Sequence, residues 1–390
     1  MPRLLIDGRS LTKNPKGVGR YAYQLCCQLD RRLPDNWEID ILVCQHDLPL
    51  FPNKFRGKFV SVPPVSELKA GFSVIPRQIK KLGSQILLRP GEGIGTNYGI
   101  PQLAICHDIN DWIIAAQESQ GQRRTYYRTI IDKIKNYCIK RSLQESEFVL
   151  CNSTFIREAA SSYYCVDHEK TKIAYCGVDE RFYTLSQSVD KRSVLKKYGV
   201  SNYILCFATG DYRENFMLLP EIIKKVNKKN TTATFIIAGT NKNAEYTRKL
   251  VSLLAQLNLQ EGSDYILEGF LGDAQFNLLV ELYTAADFYL ELSLHEGFGM
   301  QVVEAMACGT HCISSAKGAL KEVTGGFAKL IEDPTDAAMT AEIIHAAYNE
   351  KLHNLNNSEQ ISHTKMFSWD STGIVTTQCL LQTADHYKLN

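Results

Sequence analysis

Two glutamates flank a glycine pair in the stretch HEGFGMQVVEAMACGT, residues 295–310. Glu296 precedes Gly297 and Gly299, and Glu304 lies just over one helical turn into the apolar run that follows. Glycines let a backbone approach a ligand closely, and the amides at a helix start attract an anion such as phosphate. We expect the carboxylates to accept hydrogen bonds from hydroxyl groups instead, which suits a ligand with a sugar at each end of its phosphates. An ordinary helix with Glu304 in solvent would carry the same residues.

Short apolar runs alternate with helical patterns along the 390 residues. The strand-like runs are RLLIDG, IDILVC, KFVSVP, QLAICHD, EFVLCNS and KIAYCGV, then YILCFAT, TATFIIAG, DYILEGF, DFYLELS and THCISS. Apolar periodicity predicts helices near 18–31, 122–143, 154–164, 216–228, 243–257, 274–285 and 300–308. This alternation predicts an α/β protein with two doubly wound parallel sheets. A mostly polar stretch at 186–197 predicts their junction, with domains 1–188 and 189–366.

The composition is typical of a water-soluble globular protein, with 44% hydrophobic and 22% charged residues. No run reaches the roughly 18 apolar residues of a membrane span, and MPRLLIDGRS meets charges too early for a signal peptide. The twelve cysteines lie mostly in apolar runs without CxxC pairs, which favours buried reduced thiols over disulfides or metal ligands. These features predict a cytoplasmic protein without a metal site.

The net charge of +2 conceals a basic first half and an acidic second half. A basic surface attracts a negative partner. The basic residues that we expect to contribute are Arg77, Lys80, Lys81 and Arg89, followed by Arg124, Arg128, Lys133, Lys135 and Lys140. An anionic membrane surface is the partner that they suggest, and a solvated helix face is the alternative. Nucleic acid is excluded because no recognisable motif interleaves aromatic residues with these basic runs.

The spacing Glu296-x7-Glu304 closely resembles the signature of family 4 glycosyltransferases, which have the GT-B fold. The resemblance continues in SSAKGALKEVTGG and extends through GVGRYAYQL, AICHDIN, VLCNSTFIREAA, YCGVDERFY and FSWDSTG. It implies two Rossmann-like domains facing each other across a cleft, with the acceptor on the first and the donor on the second. It also implies a terminal helix, 367–390, that crosses back to the first domain.

The donor implied by this resemblance is a nucleotide diphosphate sugar, acting as co-substrate without a cofactor or metal. A UDP-hexose is favoured over GDP-mannose. Glu304 would bind the ribose hydroxyls, and Glu296 would bind hydroxyls of the transferred sugar. The other donor-binding residues implied are Gly17, Gly19, Thr209, Leu267, Gly297, Phe298, Gly299, Met300 and Val303.

The resemblance also assigns residues around the reacting carbon. His107, at the end of the strand in QLAICHDINDW, would hydrogen-bond the donor sugar and act with Glu296 and Arg213 in catalysis. A histidine in this position is also typical of a core residue with satisfied hydrogen bonds. Asp108 and Arg20 are implied as acceptor contacts.

One loop departs from the family pattern. The family commonly has Arg-Lys-Asn after this strand, whereas the segment FATGDYRENFMLL has Arg213, Glu214 and Asn215. A glutamate in the lysine position should weaken the stabilisation of a departing diphosphate unless Arg213 suffices or Lys242 substitutes. A salt bridge in a surface loop is the alternative for Arg213.

The reaction implied is retaining, metal-independent transfer of a hexosyl group, glucose or mannose, to a glycan or lipid-linked glycan in cell-surface polysaccharide synthesis. The enzyme would be cytoplasmic, with peripheral contact at the inner face of the membrane. Two alternatives stay open: a catalytically silent nucleotide-sugar-binding protein, motivated by Glu214, and a nucleotide-sugar epimerase on the same fold.

Overall fold

The computed structural model describes residues 1–12, 17–44, 48, 50–95, 97–109, 126–228, 233–352 and 357–389. The described residues form two compact units. The first unit contains the described residues of 1–109, 126–177 and 367–389, and those of 178–366 belong to the second.

Seven parallel strands form the sheet of the first unit. They are β1 (Arg3–Ile6), β2 (Glu38–Val43), β3 (Lys58–Ser61), β4 (Ile86–Arg89), β5 (Gln102–Cys106), β6 (Phe148–Cys151) and β7 (Thr171–Ile173). Their order is β3-β2-β1-β4-β5-β6-β7, and every neighbouring pair is parallel. The direction of winding reverses between β1 and β4, where doubly wound sheets bind ligands beyond the carboxyl ends of their strands.

Six described α-helices accompany this sheet in the first unit. They are α1 (Gly17–Arg32), α2 (Glu67–Lys69), α3 (Ile75–Leu82), α4 (Tyr126–Gln144), α5 (Thr154–Ser162) and the terminal helix (Trp369–His386). Leu4, Leu5 and Ile6 of the interior strand β1 are apolar and fully buried, because a parallel sheet is covered on both faces.

The second unit repeats the plan with six parallel strands. They are β8 (Tyr203–Phe207), β9 (Thr234–Ala238), β10 (Tyr265–Leu267), β11 (Phe288–Glu291), β12 (His311–Ser315) and β13 (Lys329–Ile331). Their order is β10-β9-β8-β11-β12-β13, so this sheet reverses between β8 and β11. The two doubly wound parallel sheets confirm the predicted fold class.

Nine described helices accompany the second sheet. They are α6 (Glu180–Ser186), α7 (Lys191–Tyr198), α8 (Leu219–Asn227), α9 (Glu245–Gln256), α10 (Phe276–Ala285), α11 (Met300–Ala307), α12 (Leu320–Thr324), α13 (Ala337–Asn349) and α14 (Ser358–Thr364). The helices predicted from periodicity correspond to α1, α4, α5, α8, α9, α10 and α11, with small shifts at the ends.

The polar stretch expected to be a linker contains helix α7. The Asp190 side chain accepts a hydrogen bond from the Arg192 amide at 3.1 Å, which caps the start of the helix. Gly199 ends it in the left-handed conformation, with a φ of 68°. Both capping residues are visible in the sequence, but the polar composition of the helix conceals it.

The first unit ends at Gly177, eleven residues before the expected boundary at 188. Helix α6 belongs to the second unit because its fully buried Phe182 packs there. The Phe182 ring lies 4.7 Å from that of Phe276 and 6.1 Å from that of Tyr283, both on α10.

Strand β4 overturns one expectation for the basic surface. Arg89 is only 1% exposed, and its Nη2 donates to the Ser142 carbonyl at 3.3 Å. Burial lowers the pKa of this guanidinium. Arg89 therefore cannot contact a membrane surface, whereas Arg77, Lys80 and Lys81 on α3 are exposed.

The terminal helix is part of the first unit and packs along α1. Its buried Trp369 contacts the Tyr21 ring edge-on at 5.4 Å between centroids. A Cβ at Gly177 would lie 2.2 Å from the Trp369 backbone nitrogen, so only glycine lets these two segments approach so closely. Gly373 allows the helix to meet α1, since a Cβ there would lie 2.6 Å from the Cβ of Gln28.

We expect Gly373→Leu to destabilise the first unit by roughly 1–3 kcal/mol, because the added side chain overpacks the contact with Gln28. Urea unfolding measures the loss. Ile374→Leu, on the adjacent exposed position, is the control and should change the unfolding free energy by less than about 0.5 kcal/mol. Equal midpoints for the two variants would contradict this packing.

Candidate functional site

The turn after β11 lies at the point where the second sheet reverses. Strand β11 ends at Glu291, and helix α11 begins at Met300 behind Gly299, whose φ is 94°. The N-cap residue Gly299 supplies no side-chain cap to this helix, and its first turn has no acidic residue. The positive end of the helix is therefore suited to an anion.

A second loop holds this turn in place through its backbone. The Glu296 carbonyl accepts a hydrogen bond from the Ala319 amide at 2.8 Å. Gly318 has a φ of 63°, and a Cβ on it would lie 2.1 Å from the Glu296 carbonyl oxygen. Glycine is therefore required at residue 318. The sequence analysis missed it, although a glycine soon after a buried strand was the available signal.

The two motif glutamates have different surroundings. Glu296 is half-buried, and its Oε1 lies 3.3 Å from the Ser293 hydroxyl oxygen. Glu304 is 4% exposed, and its Oε2 accepts from the Tyr283 hydroxyl at 3.4 Å. Glu304 thus already accepts a hydrogen bond from a hydroxyl group, and Glu296 lies within hydrogen-bonding distance of one, which suits sugar-binding residues.

The remaining residues expected around the helix start are mainly inside the fold. Phe298 is 3% exposed and Met300 is half-buried. Val303 is fully buried, and its amide donates to the Gly299 carbonyl at 3.3 Å. Gly297 is buried as well. The structure brings these residues together in one turn and helix, and their contacts with a donor stay predictions.

The loop after β8 lies beside this turn, on the other strand of the reversal. The Arg213 carbonyl accepts from the Leu294 amide at 2.8 Å, which joins the two loops. The Arg213 guanidinium pairs with Asp211, with Nη2 and Oδ2 at 2.7 Å. The salt bridge considered as an alternative for Arg213 is therefore present. A catalytic role for Arg213 stays a prediction.

Glu214, in the position where a lysine was expected, folds back onto the same loop. Its Oε2 accepts from the Thr209 amide at 2.7 Å, and its Oε1 accepts from the Thr209 hydroxyl at 2.6 Å. Burial raises the pKa of Glu214 to about 7, and the neighbouring carboxylate of Glu291 adds to the effect. The carboxylate therefore closes the loop and uses the polar groups of Thr209.

Two other expected positions lie further along the sheet edge. Leu267 ends β10, the edge strand, which β9 and β8 separate from β11. It is half-buried and packs against the core of the second unit. Lys242 follows β9 and is exposed.

In the first unit, His107 follows β5 and is held on several sides. Its Nε2 lies 2.8 Å from the Pro90 carbonyl, and its ring meets the Tyr21 ring edge-on at 4.7 Å. The Asn152 amide donates to the His107 carbonyl at 3.1 Å. With Nε2 donating to Pro90, the neutral ring carries its lone pair on Nδ1, which can accept from a hydroxyl group.

Glu92, in the loop after β4, orients the same peptide. Its Oε1 accepts from the backbone amides of both His107 and Asp108. The sequence analysis missed Glu92. The available signal was its position between Gly91 and Gly93, soon after an apolar run. The Asp108 side chain accepts from the Ile109 amide at 2.8 Å, and this contact shapes the loop.

Helix α1 begins at the other expected glycine pair. Gly17 is exposed with a φ of 43°, Gly19 is buried, and Arg20 is half-buried. The loop after β4 meets the start of α1 here, since a Cβ on Gly91 would lie 3.4 Å from Val18. Lys16 and Arg124 and the Arg128 side chain lie outside the described residues.

Within the described ranges, no group of three or more His, Cys, Asp or Glu side chains is arranged to hold a metal ion. The expected metal independence stays a prediction. The described helices also include none long and apolar enough to span a membrane.

Comparison with known proteins identifies both units. A family model described as Glycosyltransferase Family 4 matches residues 15–182, and one described as Glycosyl transferases group 1 matches residues 188–363. The chain is 26% identical to O-antigen chain mannosyltransferase B of Escherichia coli, with 96% of each chain covered. It is 23% identical to O-antigen chain mannosyltransferase RfbU of Salmonella typhimurium, over 80% of this chain and 82% of that protein.

A solved structure matches the fold over the whole length. Sucrose-phosphate synthase from Thermosynechococcus elongatus superimposes with a TM-score of 0.75 at 16% identity, covering 98% of each chain. The fold is GT-B, as the sequence predicts. The chain is therefore a glycosyltransferase and belongs to family 4 of these enzymes.

Proposed function

We propose that this enzyme transfers a hexosyl group from a nucleotide diphosphate sugar to a glycan or lipid-linked glycan in cell-surface polysaccharide synthesis. The observation that carries the proposal is the start of α11, where the N-cap is a glycine in the left-handed conformation and Glu296 and Glu304 lie on either side of it. The amides at the helix start would bind the diphosphate, Glu304 the ribose and Glu296 the transferred sugar.

The transfer is proposed to retain the anomeric configuration. Glu296 and Glu304 bind hydroxyl groups in this scheme, so neither serves as the nucleophile that retaining glycosidases use. The donor phosphate accepts the proton of the attacking hydroxyl on the same face of the sugar. His107 accepts a hydrogen bond from the donor sugar through Nδ1, and no metal takes part.

Arg213 supplies positive charge for the departing diphosphate. Its guanidinium is paired with Asp211, and Glu214 contributes no charge of the right sign. The oriented amides of Phe298, Gly299 and Met300 therefore contribute more to stabilising the departing diphosphate than they would in a site with two cations. In this scheme Gly17 and Gly19 add backbone contacts, and Asp108 and Arg20 contact the acceptor.

The donor sugar is proposed as a hexose, glucose or mannose. Two relatives are named as mannosyltransferases that act in O-antigen chains, which supports mannose and a glycan acceptor. The expectation of a UDP-hexose over GDP-mannose rests on what is usual among enzymes of bacterial polysaccharide synthesis, not on a residue of this chain. Incubation with a panel of UDP-, GDP- and ADP-hexoses, followed by detection of released nucleoside diphosphate, decides among them.

The first unit is proposed to contact an anionic membrane surface, where a lipid-linked acceptor would lie. Helix α4 exposes Ile130, Ile134 and Tyr137 at 40%, 46% and 66%. Lys133 and Arg141 are exposed on the same helical face, at intervals of three or four residues. Apolar and basic side chains on one exposed face favour binding to an anionic interface.

We expect Glu304→Ala to weaken binding of the accepted nucleotide sugar about 10- to 100-fold, because hydrogen bonds from the ribose to a charged acceptor are lost. Isothermal calorimetry measures the change. Glu350→Gln, a surface substitution in the same unit, should leave the affinity unchanged. Unaltered binding after Glu304→Ala, or no binding of any nucleotide sugar by the native enzyme, would refute the proposed donor site.

Glu214→Gln tests whether this residue closes its loop with a buried carboxylate. The pKa of Glu214 is raised from 4.5 to about 7, so the folded state holds this proton more tightly than the unfolded state. Stability present below pH 4.5 is therefore lost as the pH rises towards 7. The amide variant can keep both contacts with Thr209 and does not ionise.

Between about pH 5 and pH 8, the free energy of unfolding measured with urea should fall for the native protein. The fall should be roughly 2 kcal/mol larger than for Glu214→Gln. Glu350→Gln serves again as the matched surface control and should follow the native protein. The same fall in all three proteins would show that the Glu214 carboxyl is not responsible.

Replacing both Ile134 and Tyr137 by serine should lower flotation with phosphatidylglycerol vesicles several-fold, since the apolar part of the α4 face is removed. Met339→Ser, which changes an exposed side chain of the second unit, should float like the native enzyme. Equal recovery of the native enzyme with neutral and anionic vesicles would rule out the proposed surface.

A further inference from the structure

A buried chain of hydrogen bonds connects strand β11 to Glu296. Glu291 is 5% exposed, and its Oε2 accepts from the Tyr289 hydroxyl at 2.9 Å. Its Oε1 accepts from the amide and the hydroxyl of Ser293, at 3.1 and 2.7 Å. The same hydroxyl oxygen of the fully buried Ser293 lies 3.3 Å from Glu296 Oε1.

The Ser293 hydroxyl has one proton and two carboxylate neighbours. When Glu291 is ionised, the shorter contact takes this proton, and Ser293 presents lone pairs to Glu296. When Glu291 is protonated on Oε1, it donates to the Ser293 oxygen, and the Ser293 proton can point to Glu296. Oε1 is the oxygen that faces the Ser293 hydroxyl, and when it carries the proton its remaining lone pair still accepts from the Ser293 amide.

The surroundings of Glu291 favour its protonated form. Glu214 from the β8 loop lines the same pocket, together with Gln301 of α11. The other titratable groups that face Glu291 are Tyr289, Cys206 on β8 and Cys312 on β12. None of these is a cation, and Arg213 beyond Glu214 is paired with Asp211. Burial raises the pKa of Glu291.

We infer that Glu291 is a positioning residue for Glu296, because its protonated carboxyl turns the Ser293 hydroxyl towards Glu296 and fixes that carboxylate for the donor sugar. The inference rests on the proposed function, in which Glu296 binds hydroxyls of the transferred sugar. Deprotonation of Glu291 removes the hydrogen bond from Ser293 to Glu296 and brings a further negative charge into the same network.

The test is the pH dependence of KM for the donor and of kcat, measured from about pH 6 to 9. The native enzyme should show KM rising several-fold with pH, while kcat changes less. Glu291→Gln should give a KM that does not vary over this range, since its amide does not ionise. Ser293→Ala should have a high KM that does not vary over this range.

Glu214→Gln is a second test variant, and it leaves the hydrogen bonds from Glu291 through Ser293 to Glu296 intact. Removing the negative neighbour should lower the pH at which KM begins to rise. Thermal unfolding at each pH monitors folding. A purely structural part for Glu291 would change stability or both kinetic parameters without altering the pH slope.

The inference is overturned if Glu291→Gln keeps the native pH slope or Ser293→Ala retains the low KM at pH 6. Infrared difference spectra of the protonated carboxyl band provide a readout that does not need activity. A band that titrates in the native enzyme, disappears in Glu291→Gln and shifts in Ser293→Ala supports the proposed connection from Glu291 to Glu296. Absence of such a band refutes that connection. Lack of transfer and of nucleotide-sugar binding would refute the proposed function separately.

Discussion

The candidate donor site depends on a backbone contact between two loops at the edge of the second sheet. The Glu296 carbonyl accepts from the Ala319 amide, and the space between them admits only a glycine at residue 318. This contact holds the turn in which Glu296 precedes the helix start. Since an amide cluster can stabilise an anion only if its geometry is set beforehand, a rigid turn is a condition for the proposed chemistry.

The charges around this turn are unusual for a site that would bind a diphosphate. Arg213 is paired with Asp211, and Glu214 and Glu291 place two carboxyls with raised pKa values behind the loop. Their protonation reduces the negative charge near the site. The turn thus combines amide donors at the helix start with two carboxyls whose pKa values are raised by burial.

The first unit uses a different kind of support. His107 is held by the Pro90 carbonyl and by Glu92, which accepts from its amide. Tyr21 packs against the His107 ring, and Trp369 of the terminal helix packs against Tyr21. The terminal helix therefore stabilises the surroundings of a candidate catalytic residue that is distant in sequence. This explains why a segment beyond the second unit in the chain matters for the first.

Local features of the sequence predicted the fold class and the central motif. Continuous apolar runs predict buried parallel strands, and glycine pairs before helices predict sites where a backbone can meet an anion. Most strands and seven of the helices were found in this way, whereas the 13-residue helix α13 was missed. Strand β4 was missed because its ILLR ends in an arginine, and α7 was missed because few of its residues are apolar.

The family, the α/β architecture and the chemical types at the Glu296 to Glu304 motif were therefore determined by the sequence itself. Only the tertiary structure decided that Arg89 is buried, that Glu214 turns back to Thr209, and that Glu92 holds His107. These outcomes depend on which distant segments the strand order brings together and on the rotamers that packing allows. Periodicity and composition describe neighbours along the chain, so they carry no information about such contacts.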